Sequence, residues 1–436
     1  MDKFLALSKV GFKYFLRYRR RYIFLLVALV FGYTIVTIFS SVKDGMYKNL
    51  YYSAQSHYAG DIIAAGYTSG YENQLYLSEH EVSEIKKAAV TTDINPLHTV
   101  QRTIYFGDGV IFYNGASVHL KYVLGCDWSS ELPIFKTMSF EDSSTFNFDD
   151  KSIIISSPMA KLLNAMIGDI VVLEVNTKWG QKNTEQFFIK NIVDDASVFG
   201  YYKVYISRKS LNNLILYADG DCSTVGFFLE NQTVAEKKRK KMQEVLSRNL
   251  STGPLVYDRE RLDAEIGEKW DGIKVFLLTL PVYLSEVSEL LDAINIITYF
   301  IYGLMLLIIL VSATVTYRLI LHERVKEIGI MGTIGFNSSD LRKVLWTEVA
   351  ILGFLSLVFG LLLVFIFNQI FSLFSFSWFS GFEIFMKNKK FTLLYLPKTF
   401  LINGLSVFFI LFMSVIIPVF NISRKKLPNL LSGEAI

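Results

Sequence analysis

Cysteine is scarce in this chain, and its scarcity limits the chemistry that the sequence can support. Only Cys126 and Cys222 occur, far apart and without a CxxC spacing. The five histidines are scattered, so nothing has the spacing of a metal site. A disulfide between the two cysteines stays open if both face an oxidising compartment, because sequence does not show whether they meet.

Catalytic motifs are absent as well. The patterns GxSxG, HExxH and GxxxxGK[ST] do not occur anywhere in the sequence. The acidic pairs 149–150 and 194–195 consist of adjacent residues, which point to opposite faces of a strand and are poorly placed for shared acid–base work. The net charge of +4 gives no indication of a nucleic-acid partner. We therefore expect no catalytic residue, metal or cofactor in this chain.

Apolar residues are abundant and fall into four runs long enough to cross a bilayer. Hydrophobic residues make up 52% of the chain, with 36 phenylalanines and 24 tyrosines. The first run follows Arg19, Arg20 and Arg21 and has no small-residue cleavage site after it, so it predicts an anchored span rather than a signal peptide. By the positive-inside rule, both termini are expected in the cytoplasm of an inner-membrane protein.

These runs divide the chain into nine predicted segments. They are a basic amino-terminal segment (1–21), the first span (22–44), an exoplasmic domain (45–280), a stalk with the second span (281–320), a cytoplasmic connection (321–343), the third span (344–371), an exoplasmic loop (372–396), the fourth span (397–420) and a cytoplasmic tail (421–436). Lys387, Lys389 and Lys390 oppose the positive-inside rule, which makes their loop the weakest point of this topology.

The large exoplasmic region predicts a mixed α+β domain. Strand-like runs such as "DIVVLEVNT" alternate with helix-like stretches such as "SPMAKLLNAM", in which Pro158 marks a helix start. Gly107-Asp108-Gly109 lies between two strand-like runs and is interpreted as a hairpin turn. The basic residues 237–241 are typical of a solvated helix face, with binding of anionic lipid or substrate as the alternative.

Two long helices are expected to leave the membrane as a stalk. Residues 281–321 contain no strong helix stop after Pro281 except Gly303, and that length of helix is about 60 Å. The alternative is a kink at Gly303 and an ordinary connector. The first span is expected to extend outward in the same way, although Gly45 weakens this prediction.

The connection between the second and third spans predicts a short amphipathic helix over residues 321–334. Val325, Ile328 and Met331 share one face, and Glu323, Arg324 and Glu327 occupy much of the rest. This mixed charge suits a protein socket better than a lipid surface. We expect the apolar three to insert into a cleft of a partner and the charged three to orient them.

Two further positions in this segment carry predictions. Gly335 lets the chain turn before the next helix. Glu348 is a carboxylate near the start of an apolar span, so we expect it to be paired or hydrogen-bonded near the cytoplasmic boundary. The alternative is that the Glu348 side chain extends to the membrane–water interface.

The stretch "ERVKEIGIMGTIGFNSSDLRKVLWTEVAILGFLSLVFGLLLVF" resembles the coupling segment and third span of the FtsX/MacB-type, or type VII, ABC permeases. The matching positions are Glu323, Arg324, Glu327, Ile328, Gly329, Ile330, Ile334, Gly335, Asp340, Leu341 and Glu348. The order of spans and the strand–helix–Gly-Asp–strand unit "IIISSPMAKLLNAMIGDIVVLEV" extend the resemblance over the chain.

The resemblance implies a second permease and a pair of cytoplasmic ATPases that bind ATP and magnesium, with membrane lipids around the spans. It implies extrusion of material that is already outside. Lipoprotein release (LolC/LolE-like), with a lipoprotein substrate and a periplasmic carrier, fits best, because the efflux members fuse their ATPase and the division regulators have a smaller exoplasmic domain. No segment clearly matches the carrier-binding hook of that group. A stand-alone MacB-like exporter is the alternative, and a four-span receptor is the alternative outside the class.

Overall fold

The computed structural model describes residues 2–17, 19–69, 75–142, 146–177, 179–195, 199–285, 288–376, 385–386 and 390–424. Within them the chain forms thirteen α-helices and nine strands. The helices are α1 (Asp2–Arg17), α2 (Arg19–Tyr58), α3 (Glu79–Thr91), α4 (Trp128–Phe135), α5 (Ser157–Leu163), α6 (Arg208–Ile215), α7 (Ala235–Leu246), α8 (Arg259–Gly267), α9 (Leu280–Leu284), α10 (Ser288–Glu323), α11 (Val325–Thr333), α12 (Ser338–Phe371) and α13 (Pro397–Ser423). The strands are β1 (Ile62–Thr68), β2 (His98–Tyr113), β3 (Ala116–Cys126), β4 (Ser152–Ser156), β5 (Ile170–Asn176), β6 (Lys182–Val193), β7 (Lys203–Ser207), β8 (Thr224–Phe228) and β9 (Ile273–Thr279).

The chain divides into two compact units. The first unit holds Met1–Met46, Leu291–Ser375 and Lys390–Ile436, and the second holds Tyr47–Leu290 and Phe376–Lys389. Four helices, α2, α10, α12 and α13, are long and apolar enough to cross a membrane. The predicted fold class, one span before and three spans after an α+β domain, is confirmed.

The helices of the first unit bury one apolar core. Its members come from every spanning helix and include Leu29, Ala313, Leu352 and Val415. The loop before α13 packs closely against α2, since a Cβ at Gly45 would lie 1.8 Å from the Thr392 carbonyl oxygen. Gly45 therefore serves close approach of the backbone and does not interrupt α2, which runs unbroken for 40 residues.

The second unit is built on a mixed sheet in the order β3-β7-β4-β6-β5-β2-β8-β1-β9, with an additional β2–β3 pairing. That pairing makes β2, β3, β7, β4, β6 and β5 a closed circuit of strands. Each of these strands contributes to one core, with fully buried residues such as Ile111, Val123, Ile155, Leu173 and Ile189. Closure removes free edges from this part of the sheet.

The remaining strands, β8, β1 and β9, are covered by helices on both faces. Along β1, Ile62 and Ala64 pack with α3 and α7, whereas Ile63 and Ala65 pack with α8 and α9. Successive residues of a strand point to opposite faces, so a strand covered on both sides must be apolar throughout. This explains why "DIIAAG" reads as a continuous apolar run.

The structure corrects one sequence interpretation of this unit and answers one question that the sequence left open. Gly107-Asp108-Gly109 is not a hairpin turn, because β2 passes through it with a shift of register between Phe106 and Gly109. The turn of this hairpin lies at Asn114 and Gly115, both with positive φ (45° and 83°). The open disulfide is not formed, since Cys126 and Cys222 are both free and buried.

A buried arginine holds the carboxyl end of α2 inside the second unit. Arg102 donates to Glu131 from Nε (2.6 Å) and Nη2 (2.9 Å), and from Nη1 to the carbonyl oxygens of Ser56 (2.8 Å) and His57 (3.0 Å). Carbonyls in the last turn of a helix lack partners within the helix. The guanidinium therefore caps α2 while its charge is neutralised by Glu131.

A buried lysine lies next to this cap. Lys203 Nζ is 3.2 Å from His57 Nδ1 and 4.7 Å from the centre of the Tyr205 ring. Burial, opposed by the charge of Asp195 and assisted by that of Arg102, lowers the pKa of Lys203 to about 8. The charged amine is thus disfavoured in the folded protein.

We expect Lys203→Met to change how stability depends on pH. An unfolded lysine keeps its proton up to a pKa of about 10.4, so the folded protein releases this proton first. Below pH 8 the folded protein carries the full free-energy cost of burying the charged amine. As the pH rises from about 8 to about 10.5 this cost is relieved, and the free energy of unfolding rises by roughly 3 kcal/mol. Thermal unfolding from pH 7 to pH 10.5 should show this relative gain in the native protein and not in Lys203→Met. Parallel profiles for the two proteins would contradict the assignment.

Candidate functional site between the second and third spanning helices

The predicted amphipathic helix is divided in two at Arg324. Helix α10 continues to Glu323, Arg324 has φ −107° and ψ 9°, and α11 begins at Val325. Residues 321–323 therefore belong to the spanning helix, which corrects the predicted helix over 321–334. The sequence has no glycine or proline at the break, and the residue that lies there, Arg324, turns its side chain inward.

The end of α11 and the start of α12 follow from local chemistry. Gly335 has φ +98°, in the left-handed region that favours glycine, directly after α11 ends. The Asn337 side chain accepts from the Asp340 backbone N–H at 2.8 Å and so caps α12. The turn at Gly335 lies where the sequence predicts it.

The predicted socket residues pack on the chain's own helices. Val325, Ile328 and Met331 are all buried in the core of the first unit, together with residues of α2, α10, α12 and α13. Gly329 is buried on the same helix. The expectation that these apolar residues enter a partner's cleft is thus corrected: the stripe that the sequence reveals is the inner face of α11.

The outer face of α11 carries a different set of residues. Ile330 is 52% exposed and Ile334, just after the helix, is 73% exposed. Lys326 lies four residues before Ile330 and is also exposed. A spacing of four places these residues on one side of a helix. Sequence reasoning missed this stripe because the i, i+4, i+8 signal of 326, 330 and 334 is weaker than that of the inner face.

Arg324 is the centre of a buried network. Its Nη1 donates to Glu348 Oε2 (2.7 Å) and to the Tyr22 hydroxyl (2.8 Å), and its Nη2 donates to Glu348 Oε1 (3.1 Å). The Tyr22 hydroxyl in turn donates to Glu348 Oε2 at 2.5 Å. Arg324 and Glu348 are fully buried, and the Tyr14 ring lies 5.4 Å from the guanidinium carbon. The network connects α1, α2, the α10–α11 junction and α12.

The charged residues predicted to orient a partner are therefore split between inside and outside. Arg324 faces inward, which corrects its predicted role, and Glu327 lies beside it with Oε2 3.5 Å from Arg324 Nε. Glu323 remains at the surface in an ion pair with Arg21 Nε at 3.2 Å. Glu348 is enclosed by Arg324 and Tyr22 and does not reach the surface. Tyr22, treated in the sequence only as the first residue of a span, is a member of the site.

Comparison with known families matches the part of the chain that holds Arg324 and Glu348, whereas Tyr22 lies outside the matched range. Residues 299–427 match the FtsX-like permease C-terminal domain. This range includes most of α10 and all of α11, α12 and α13. This carboxy-terminal part of the chain is therefore an FtsX-like permease domain.

Solved structures give weaker likenesses. The extracellular domain of the noncanonic ABC-type transporter YknZ from Gram-positive bacteria is 17% identical, with a TM-score of 0.31, over 43% of this chain and 94% of that one. The periplasmic region of MacB from Actinobacillus actinomycetemcomitans is 11% identical, with a TM-score of 0.29, over 54% of this chain and 95% of that one. Scores this low do not establish a shared fold. Comparison with curated proteins gives no match.

We expect the Arg324–Glu348 pair to be needed as a pair. Arg324→Met leaves an uncompensated buried carboxylate, which costs about 3–5 kcal/mol, whereas Arg324→Met/Glu348→Leu removes both charges and should recover most of that loss. Thermal unfolding of the purified protein in detergent measures both. Glu323→Gln, which removes only the surface pair with Arg21, is the control and should cost no more than about 1 kcal/mol. A double variant as unstable as Arg324→Met would contradict the pairing.

Proposed function

We propose that this chain is the permease subunit of an ABC transporter of the inner membrane, with both termini in the cytoplasm. A separate cytoplasmic ATPase dimer binds and hydrolyses ATP with magnesium, and the permease converts its motion into movement of the exoplasmic unit. One observation carries the proposal. The matched FtsX-like domain contains a short helix, α11, between two spanning helices, with an outer face that no other described part of the chain covers.

The outer face of α11 is the proposed contact with the ATPase. Ile330 and Ile334 are exposed at the point where the chain turns between two spans, Lys326 shares their side of α11, and Glu323 is exposed at the end of α10. Exposed isoleucines flanked by charges fit a small apolar anchor with a polar rim, which is where association energy concentrates. The inward packing of Val325, Ile328 and Met331 makes α11 rigid with the spans, so a force on its outer face passes to α10 and α12.

We expect Ile330→Asp to release the ATPase from the permease without unfolding it. The substitution places a charge in an apolar contact but leaves the core of the first unit intact. Co-purification of the ATPase from detergent-solubilised membranes measures the contact, and loss should be on the order of tenfold or more.

Two controls accompany this experiment. Leu97→Asp makes the same kind of change at an exposed residue of the second unit and should keep the ATPase. Ile328→Asp changes a buried residue and should lower the yield of folded permease itself. If Ile330→Asp retains the ATPase as well as Leu97→Asp does, the outer face of α11 is not the docking surface.

A second permease is the proposed partner of α10. Only 6% of the apolar window of this helix is buried within the chain, against 44%, 33% and 33% for α2, α12 and α13. Exposed residues along it include Ile296, Phe300, Leu307 and Val311. Pairing two permeases through α10 would cover this surface, and it agrees with the paired ATPases that the mechanism requires.

Helix α2 is the proposed mechanical connection. At 1.5 Å per residue its 40 residues span about 60 Å, twice the apolar thickness of a bilayer. It is shared by both units, joined near its start to Arg324 through Tyr22 and capped at its end by Arg102. Of the predicted second rod over 281–321, α9 ends at Leu284 and α10 runs from Ser288 to Glu323, while residues 286–287 lie outside the described residues.

The proposed substrate is a lipoprotein of the inner membrane, extracted toward a periplasmic carrier. The second unit has an open groove of about 540 Å³ with a mixed polar and apolar lining, formed by Asn147, Asp149, Ile167, Gly168, Phe188, Ile189 and Lys190. Neighbouring Met166 and Ile170 are exposed. Exposed apolar surface of this kind supports contact with an apolar or lipid-modified ligand.

We expect Lys48→Pro in α2 to separate hydrolysis from extrusion. Proline removes a backbone donor and clashes with the preceding turn, so it breaks the rod, whereas the control Lys48→Ala keeps the helix at the same exposed position. ATP hydrolysis should persist in both variants. Release of a lipid-anchored reporter from spheroplasts should stop only in Lys48→Pro. Normal release by Lys48→Pro would exclude α2 as the connection, and equal release of an unlipidated reporter by the native protein would favour a general exporter instead.

A further inference from the structure

The amino-terminal helix α1 has three distinct sides. Leu7, Gly11 and Phe15 are buried, at a spacing of four, against the first unit. Phe12 and Leu16, each 50% exposed, form an apolar strip beside them. On the far side a basic strip follows, with the exposed residues Lys9, Lys13 and Arg17. The helix therefore carries exposed apolar and exposed basic surface next to each other.

Contacts of α1 place it at the boundary of the membrane. A Cβ at Gly11 would lie 2.9 Å from the Val344 carbonyl oxygen and 3.0 Å from Thr347 Cβ, so α1 rests directly on α12. That part of α12 is where the helix changes from the polar stretch ending in Lys343 to an apolar run. The spanning helix α2 begins at Arg19, soon after α1 ends at Arg17. A helix at such a depth faces both headgroups and the upper part of the acyl chains.

The amino-terminal stretch of the sequence carries charge of one sign. No aspartate or glutamate occurs from Lys3 to Lys43, while lysines 3, 9 and 13 and arginines 17, 19, 20 and 21 fall within it. Of these, Arg21 is paired with Glu323, and Lys9 and Lys13 are exposed on α1. At a membrane boundary, each cation beside an apolar strip raises the affinity for anionic headgroups roughly fivefold. A zwitterionic lipid provides no such attraction.

We propose that α1 is a binding surface for anionic phospholipid, with Phe12 and Leu16 among the acyl chains and Lys9 and Lys13 at the phosphates. The same helix places Tyr14 over Arg324 and stacks Phe15 near Tyr22, with ring centres 5.2 Å apart. Lipid bound to α1 therefore holds the helix against the buried network. This inference does not depend on the ATPase or on the substrate.

Brominated lipids provide the test on the full chain in vesicles. Leu16→Cys carries a bimane fluorophore, and the native cysteines are both buried, which directs labelling to position 16. Vesicles contain phosphatidylcholine and phosphatidylglycerol in a fixed ratio, with bromine on the acyl chains of one lipid or the other. Quenching by brominated phosphatidylglycerol should exceed quenching by brominated phosphatidylcholine at equal mole fraction, and the difference should fade at high salt.

Lys9→Gln/Lys13→Gln in the labelled protein should reduce the preference for phosphatidylglycerol on the order of 10-fold or more. The matched control is Lys237→Gln/Lys241→Gln, which removes two exposed lysines at the same spacing on α7 and should leave the preference unchanged. Equal quenching by the two lipids, or equal effects of the two double variants, would overturn the proposal. The proposal would also be overturned if neither brominated lipid quenched the bimane, or if bound ATPase protected the bimane from quenching. Either result would mean that another partner covers α1. A probe at Phe12→Cys repeats the measurement should Leu16→Cys disturb folding.

Discussion

The ion pair between Arg324 and Glu348 is the constraint on which the arrangement of helices in the first unit depends. Two opposite charges in an apolar bundle are tolerated only when they pair with good geometry and when their remaining donor and acceptor atoms have hydrogen-bond partners. Glu348 accepts from two nitrogens of Arg324 and from the Tyr22 hydroxyl. These contacts set the positions of α2, α12 and the α10–α11 junction relative to one another within the unit.

The direction of α11 is a consequence of this pair. Because the Arg324 side chain turns inward, the helix that follows begins with its apolar stripe against the bundle, and Val325, Ile328 and Met331 become core residues. A different and smaller stripe, ending in Ile330 and Ile334, is then left outside. The surface offered to a partner is therefore decided by a buried charge, and not by which side of the helix is most apolar.

A second buried arginine acts at the other end of α2. Arg102 pairs with Glu131 and at the same time binds the last carbonyls of the helix. Helix α2 thus meets a neutralised guanidinium near its first residues and another at its last turn. Hydrogen bonds therefore hold this long helix at both ends, which fits the mechanical connection proposed for it.

The sequence by itself determined the features that follow from local periodicity and from length. Four apolar runs predicted the spans, alternating strands and helices predicted an α+β domain, and Gly335 predicted the turn before α12, because span length, strand alternation and the backbone freedom of glycine are local properties of the chain. What only the tertiary structure decided depends on residues distant in the chain. The burial of Glu348 depends on Arg324 and Tyr22, and the break at the end of α10 depends on that pairing. The need for glycine at position 45 depends on the close approach of Thr392. The Gly107–Gly109 bulge and the inward face of α11 were also decided by the tertiary structure. An apolar stripe or a glycine pattern indicates that something packs closely at that position, but only the folded chain shows which residues pack there.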